Sequence, residues 1–247
     1  MSQPRPQSFK SRMTGLAEDY FSVTEEHPHV RLSEVIHLKN FASIRSPQRI
    51  LDVPTEGVMM RSLFPESIVE QAEWMVPKDT QFRFTETNFK LENFKADSYD
   101  AVVGIAPLHH ANDIEKSDYL THSRRVLKSG GTLSFGEVEE GSKSHFFLDE
   151  FVHLNSVNGH QGAYLDQSFD AEMAAHGFGE VASAFRPCPW IFEGRAQLAY
   201  FLTRLFGLNP MQDEHLISQV KQYLSVEEKN NKISVEWGLR YFRGIKI

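Results

Sequence analysis

The sequence predicts a single α/β domain in which helices cover both faces of a mostly parallel β-sheet. Two observations support this prediction. Short apolar runs, which are typical of buried strands, alternate along the chain with longer segments whose apolar residues recur at helical spacing. The chain has 247 residues and 40% of them are hydrophobic, so it can fill the core of one large domain.

The composition restricts the partners and the compartment. The formal net charge of −7 argues against a nucleic-acid partner, because affinity for phosphates rests on basic clusters. The one cysteine, Cys188, cannot form an internal disulfide, as expected in a reducing compartment. No apolar run reaches the roughly 18 residues of a membrane span, and the N-terminus lacks an apolar signal segment. We therefore expect a soluble, cytoplasmic protein with no membrane partner.

The N-terminal half of the chain predicts helices followed by the first strands of the sheet. Apolar residues recur at helical spacing between residues 16 and 42, and Ser46-Pro47 marks a boundary. The run Arg49–Val53 then predicts a buried strand that ends at Pro54. The elements expected next are a short helix at Val58–Phe64, a strand at Ser67–Met75 and a strand at Gln81–Thr87.

The C-terminal half begins with the clearest buried strand, Tyr99–Ile105. A helix at Glu115–Leu127, a turn at Lys128–Gly131 and a strand at Thr132–Val138 follow. Later elements are a helix at Phe169–Phe178, a strand at Val181–Phe185, an irregular aromatic wall or lid at Phe185–Phe192, helices at Gln197–Phe206 and Asp213–Leu224, and a closing strand at Ile233–Phe242. We expect this last strand to be an antiparallel edge strand, which is common on such sheets.

Three segments in a fixed order carry a resemblance to a known family. They are Tyr99-Asp100-Ala101-Val102-Val103, then Leu108-His109-His110, then the run from Arg124 to Leu133, which contains Arg-Val-Leu-Lys-Ser-Gly-Gly. Together they resemble the second half of a class I S-adenosylmethionine (SAM) methyltransferase of the type 11 kind. The similarity covers roughly residues 50–178. It implies a Rossmann-like class I methyltransferase fold with a seven-stranded sheet, and SAM as the cofactor.

The first motif of that family is degenerate in this chain. The family has Asp-x-Gly-x-Gly-x-Gly after strand one, where glycines let the backbone approach the methionine part of SAM. This chain has Asp52-Val53-Pro54-Thr55-Glu56-Gly57, in which proline removes an amide donor and the glutamate adds a charge. The resemblance implies cofactor contacts at Asp52 and Gly57.

The segment between strands one and four is also shorter than in the family. We expect the helix after strand two to be missing, with Val76–Asp79 as the shortcut. The resemblance implies an acid at the end of strand two that binds the ribose hydroxyls, and Glu73 is the best match, with Glu70 as the fallback. The adenine would contact Asn88 and Phe89, the latter equally well explained as core, and Gly104 would border the cofactor.

Candidate catalytic residues follow strands four and five. His109 and His110 could supply a base near the methyl acceptor, since histidine titrates near neutrality, and Glu137 could face the acceptor. The two histidines can instead be structural, and Glu137 can equally be an acid of a surface loop. His145, Asp149 and His153 share a helical stripe, for which a polar helix face is favoured over a metal site, so we assign no metal ligands.

We expect three regions: an N-terminal tail and helices (1–45), the methyltransferase-like core (46–190), and a helical insertion or lid with the final strand (191–247). The insertion could cover the acceptor pocket, form a homodimer contact or add to the core. The favoured function is SAM-dependent methyl transfer to a small-molecule acceptor. The alternative is a catalytically inactive relative that binds another ligand or a protein partner, because a fold alone does not fix a function.

Overall fold

The computed structural model describes residues 17–45, 48–74 and 84–247. Within these ranges, seven strands form the main sheet in the order β3-β2-β1-β4-β5-β10-β6. These strands are β1 (Arg49–Asp52), β2 (Ile68–Glu73), β3 (Thr85–Glu86), β4 (Tyr99–Ile105), β5 (Leu127–Glu137), β6 (Phe178–Pro187) and β10 (Gly238–Lys246). Strand β10 runs antiparallel to both of its neighbours, while β1 to β5 pair in parallel.

Helices cover both faces of this sheet, as the sequence predicts. They are α1 (Ala17–Glu26), α2 (Leu32–Ala42), α3 (Val58–Leu63), α4 (Asp113–Val126), α5 (Lys143–Phe146), α6 (His153–Asn155), α7 (Phe169–Ala175), α8 (Arg195–Phe206) and α9 (Asp213–Tyr223). A π-helical turn, Phe147–Val152, joins α5 to α6. No helix within the described ranges combines the length and apolar character that crossing a lipid bilayer requires.

The alternation of side chains along the strands builds two hydrophobic cores. Ile50 and Val103 belong to one cluster of buried residues, whereas Leu51 and Val102 belong to another. Successive side chains of a strand point to opposite faces, so each apolar strand supplies both cores. This explains why the central strands read as continuous apolar runs. The predicted Rossmann-like, mostly parallel seven-stranded fold is confirmed.

The C-terminal part differs from the sequence prediction. The closing strand was expected at the edge, but β10 lies inside the sheet, between β5 and β6. The predicted single strand is in fact two, because β9 (Lys232–Val235) joins a second sheet of order β7-β9-β8 with β7 (Trp190–Phe192) and β8 (Val226–Lys229). The predicted irregular wall at 185–192 is therefore wrong. Pro187 ends β6, an edge strand, where the missing N–H breaks no ladder bond.

Two further elements differ in detail. The predicted turn at Lys128–Gly131 is extended instead, because the strand β5 already begins at Leu127, beside Tyr99, with a register irregularity between the two strands. Of the strand predicted at Gln81–Thr87, residues 81–83 lie outside the described residues, and the strand β3 comprises Thr85–Glu86. The predicted loss of the helix after strand two concerns Val76–Asp79, which lies outside the described residues.

Candidate functional site

Four parallel strands present their carboxyl ends at one edge of the sheet, and the predicted site residues follow these ends. This edge, beyond β1, β2, β4 and β5, is where ligands bind in open α/β sheets. Two groups of polar side chains lie there. We call residues 52–57 the β1 loop, and we call His109, His110 and His160 the histidine cluster.

The β1 loop is held in place by hydrogen bonds to Asp52, which is fully buried. Asp52 Oδ2 accepts from the Thr55 hydroxyl at 2.6 Å, the Glu56 N–H at 3.1 Å and the Gln71 amide at 3.3 Å. Asp52 Oδ1 is also buried and has no hydrogen-bond partner among the described residues. Burial raises the pKa of Asp52 to about 7, although the three hydrogen bonds oppose the rise.

Glu56, a charged residue of the β1 loop, is buried against Arg31. Arg31 Nη2 lies 3.3 Å from Glu56 Oε1 and 2.8 Å from Glu34 Oε2, so two acids share one guanidinium. Glu56 Oε2 has no hydrogen-bond partner in the described part of the chain. Burial raises the pKa of Glu56 to about 8, assisted by the charges of Glu34 and Asp52 and opposed by Arg31. Burial therefore favours a protonated Glu56 at neutral pH.

Two predicted cofactor glycines are closely approached by the protein itself. Gly57 has φ +59°, and a Cβ there would clash with Glu25 Oε1, which accepts the Val58 N–H at 3.2 Å in the first turn of α3. A Cβ on Gly104 would clash with the carbonyl oxygen of Val53. Gly104 requires glycine because the clash is with backbone, whereas Gly57 favours glycine because of its positive φ.

The residues predicted to bind adenosine lie at the end of β2 and after β3. Glu73 is buried and its Oε1 accepts the Trp74 N–H at 2.7 Å. Trp74 stacks on Phe89 with ring centroids 4.7 Å apart, so one face of Phe89 packs on protein. Asn88 is exposed, and its Oδ1 accepts the Lys90 N–H at 2.9 Å. Glu73 is thus the charged group of this set that is buried at a strand end.

The structure brings the three predicted catalytic residues together. Glu137, the last residue of β5, is fully buried, and its Oε2 lies 3.1 Å from His109 Nδ1. Glu137 Oε1 accepts the backbone N–H of Leu108. The His110 ring centroid lies 4.1 Å from that of His109. Because Glu137 engages Nδ1, the Nε2 atom of His109 is left for a second partner.

His160 completes the cluster, and sequence reasoning missed it. Its ring lies 4.6 Å from that of His110 and 5.6 Å from that of His109. His160 Nδ1 lies 3.5 Å from Asp149 Oδ1, which also accepts the Tyr164 hydroxyl at 2.6 Å. Burial lowers the pKa of His160 to about 4, against the pull of Asp149. No local pattern marks this residue, since it lies far from His109 along the chain.

Asp149 belongs to the helical stripe singled out in the sequence, and it organises the loop that follows. Burial would raise its pKa, but hydrogen bonds from His160, from the Tyr164 hydroxyl and from the Gly162 N–H outweigh that effect and lower it. His145 Nε2 lies 3.6 Å from Asp149 Oδ2, and His153 Nδ1 accepts a hydrogen bond from the backbone N–H of His160 at 3.1 Å. The stripe therefore holds the loop that carries His160.

The sheet order and the site edge are those of the class I SAM-dependent methyltransferase fold, the fold that the resemblance inferred from the sequence implies. Residues 63–135, less than a third of the chain, match the model of the family described as "Methyltransferase domain". No curated protein matches the sequence of this chain.

Solved structures share the fold at low sequence identity. A SAM-dependent methyltransferase of Thermotoga maritima is 13% identical with a TM-score of 0.57, over 97% of this chain and 100% of that one. The 1,6-didemethyltoxoflavin-N1-methyltransferase of Burkholderia thailandensis is 10% identical with a TM-score of 0.56, over 100% of this chain and 92% of that one. A SAM-dependent methyltransferase of Archaeoglobus fulgidus is 11% identical with a TM-score of 0.54, over 92% and 99% respectively.

Proposed function

We propose that this protein transfers a methyl group from SAM to a small-molecule acceptor. One observation carries the proposal: the segment that matches the methyltransferase domain lies in a sheet of methyltransferase order, and buried polar residues follow four of its strand ends. The Burkholderia relative supports the acceptor class, since its structure holds 1,6-didemethyltoxoflavin together with S-adenosylhomocysteine. The matched relatives give no support to the alternative of an inactive protein.

The β1 loop fits a cationic donor despite its poverty in glycine. Asp52 Oδ1 and Glu56 Oε2 are buried oxygens without a partner among the described residues, and each can accept a hydrogen bond from an ammonium group. Such a contact would also favour the ionised carboxylates. Asp52 and Glu56 are therefore the residues that would hold the positive amino and sulfonium groups of SAM, and Glu73 would bind its ribose hydroxyls.

When bound, SAM supplies a methyl group on a positively charged sulfur, which needs no metal or acid to leave. The protein must align the acceptor, exclude water and remove the acceptor's proton. Within the histidine cluster, His109 is the residue that would take that proton. Glu137 holds Nδ1 of His109 and leaves its Nε2 atom for the acceptor. Glu137 then acts as a positioning residue. The cytoplasmic location, the homodimer and the absence of a nucleic-acid partner stay predictions.

Calorimetric titration with SAM and with S-adenosylhomocysteine tests the donor half of the site. The Glu73→Ala variant should weaken binding by about 1–3 kcal/mol, because charged hydrogen bonds to the ribose hydroxyls would be lost. Glu70→Ala is the matched control on the same strand, since the Glu70 carboxylate instead binds Arg49 at 3.0 Å and the Tyr99 hydroxyl at 2.6 Å. His109→Gln, on the acceptor side, should leave SAM affinity unchanged.

No binding of either nucleoside by the wild-type protein would overturn the proposed function. Equal affinities of the Glu73→Ala and wild-type proteins would instead show that another acid binds the ribose. Circular dichroism of each variant checks that the fold is retained, because Glu73 is itself buried.

A further inference from the structure

The histidine cluster has the composition and the supports of a metal site. We propose that His109, His110 and His160 together bind one divalent transition-metal ion of the zinc type, each through one imidazole nitrogen. The proposal rests on the proposed function only for what the ion would do, and not for its binding.

The distances already bring the three ligands close to coordination. One nitrogen from each histidine lies within 4.8 Å of the others. Nitrogens bound to one zinc at about 2.0–2.1 Å in tetrahedral geometry lie roughly 3.3 Å apart. The rings must therefore move by about an ångström to close on an ion, which a change in side-chain torsions can supply.

Two carboxylates orient two of the rings in the way that metal-bound histidines require. Metal-bound histidine usually donates its other N–H to a carboxylate or carbonyl, which fixes the tautomer and the ring direction. Glu137 Oε2 lies 3.1 Å from Nδ1 of His109, and Asp149 Oδ1 lies 3.5 Å from Nδ1 of His160. The Nε2 atoms of both rings are thereby assigned to the ion.

The two chain segments that supply the ligands are held together by one backbone hydrogen bond and by further bonds from side chains. The Ala163 N–H donates to the His109 carbonyl oxygen at 2.7 Å, and Lys116 Nζ donates to the Ala163 carbonyl oxygen at 3.0 Å. The Gly162 N–H donates to Asp149 at 3.2 Å. The loop that carries His160 is thus tied both to the segment after β4 and to the acid that orients its ring.

The donor set selects the kind of ion. Imidazole nitrogen suits zinc, cobalt, nickel and copper, whereas magnesium and calcium prefer oxygen ligands. Three protein ligands leave a fourth position open, as in catalytic zinc sites. An acceptor hydroxyl or thiol bound there would lose its proton to water, while the electron pair of the broken bond stays on the atom that then receives the methyl group. His109 would then be a ligand rather than the base.

Direct metal titration of the untagged, full-length protein tests the site. After dialysis against a chelator, Zn²⁺ is titrated in competition with a chromogenic chelator, and Co²⁺ is followed by its visible absorption. We expect one ion per chain with a Kd below about 1 µM, and cobalt bands of the intensity typical of four-coordinate sites. His110→Gln and His160→Gln should each raise the Kd by at least about 100-fold, and Glu137→Gln by about 10–100-fold.

Two other histidines provide matched controls. His29 and His215 are both exposed and lie outside the cluster, so His29→Gln and His215→Gln should leave the Kd unchanged. A Kd above about 100 µM, or an equal loss in the His215→Gln protein, would overturn the proposal. A protein that binds SAM but no ion refutes the metal site and leaves the transferase intact. A protein that binds the ion but not SAM supports the site and refutes the transferase.

Discussion

Replacing Arg31 by methionine is the sharpest test of how the β1 loop is held. The Arg31 side chain is 6% exposed and donates hydrogen bonds to the Glu34 carboxylate at 2.8 and 3.0 Å, to Glu56 at 3.3 Å and to the Tyr20 hydroxyl at 2.7 Å. Methionine fills a similar volume but leaves two buried acids without their cation. Removing one partner of a buried ion pair typically costs about 3–5 kcal/mol. We expect Arg31→Met to lower the free energy of unfolding by that amount.

An exposed arginine in the same chain gives the comparison. Arg195 also pairs with two acids, Glu214 at 2.7 Å and Glu228 at 2.9 Å, but its side chain is 44% exposed. Solvent screens such pairs, so Arg195→Met should lower the free energy of unfolding by less than about 1 kcal/mol. Urea denaturation followed by circular dichroism measures both variants.

The loss of unfolding free energy in Arg31→Met should also depend on pH. A carboxyl group whose pKa is raised in the folded state contributes stability at low pH that is lost as the pH rises through the folded pKa. Glu56 has a pKa of about 8 in the wild type, and loss of the guanidinium raises that pKa further, so the variant should lose less stability at about pH 6 than at about pH 9, where wild-type Glu56 is ionised. Adding Glu56→Gln should restore part of the loss at the higher pH. If Arg31→Met and Arg195→Met have equal effects at both pH values, the buried network does not hold the loop.

Two further predictions concern residues of the same region. Gly104→Ala should lower the free energy of unfolding by about 1–3 kcal/mol or more, because the added Cβ would clash with Val53 backbone atoms and lie 3.1 Å from Pro54 Cδ. A thermal midpoint equal to that of the wild type would contradict this. The free energy of unfolding of Asp52→Asn should increase relative to that of the wild type as the pH rises from about 4 to about 7, by up to roughly 1.4 kcal/mol per pH unit. The reason is that Asp52 has a pKa of about 7 in the folded protein, whereas asparagine does not titrate. Parallel denaturation curves of the two proteins across that range, with a constant difference, would count against a raised pKa.

Most strands of the main sheet could be predicted from the sequence, because these strands are buried on both faces. Tyr99–Ile105 is confirmed to the residue, since a continuous apolar run of that length has few other stable environments. The small sheet of β7, β8 and β9 was missed, because Pro187 and Pro189 made the segment look irregular. The strand start at Leu127 was missed too, since the glycines that follow favour turns and only pairing with Tyr99 overrides them.

Part of the candidate site could be predicted from the sequence, and the part that could not is held by long-range contacts. Asp52 and Glu137 were identified because they follow strands, and strand ends define the ligand edge. Arg31 was missed, since only the fold brings it to Glu56. His160 was missed for the same reason, because its approach to His109 depends on a loop held by Asp149. Residue spacing can predict contacts within one helix or strand, but Arg31 and Glu56, like His109 and His160, lie on different segments of the chain.

Under the proposed function, the hydrogen bonds to Asp52 have a consequence for SAM affinity. A glycine-rich loop can sample many conformations, and ordering it lowers the entropy of the complex. Here Thr55, Glu56 and Gln71 already fix the segment through one carboxylate. A segment that is ordered in advance loses little backbone entropy when a molecule arrives, so more of the contact energy appears as affinity. The Thr55 and Gln71 side chains and the Glu56 backbone N–H therefore preorganise the β1 loop.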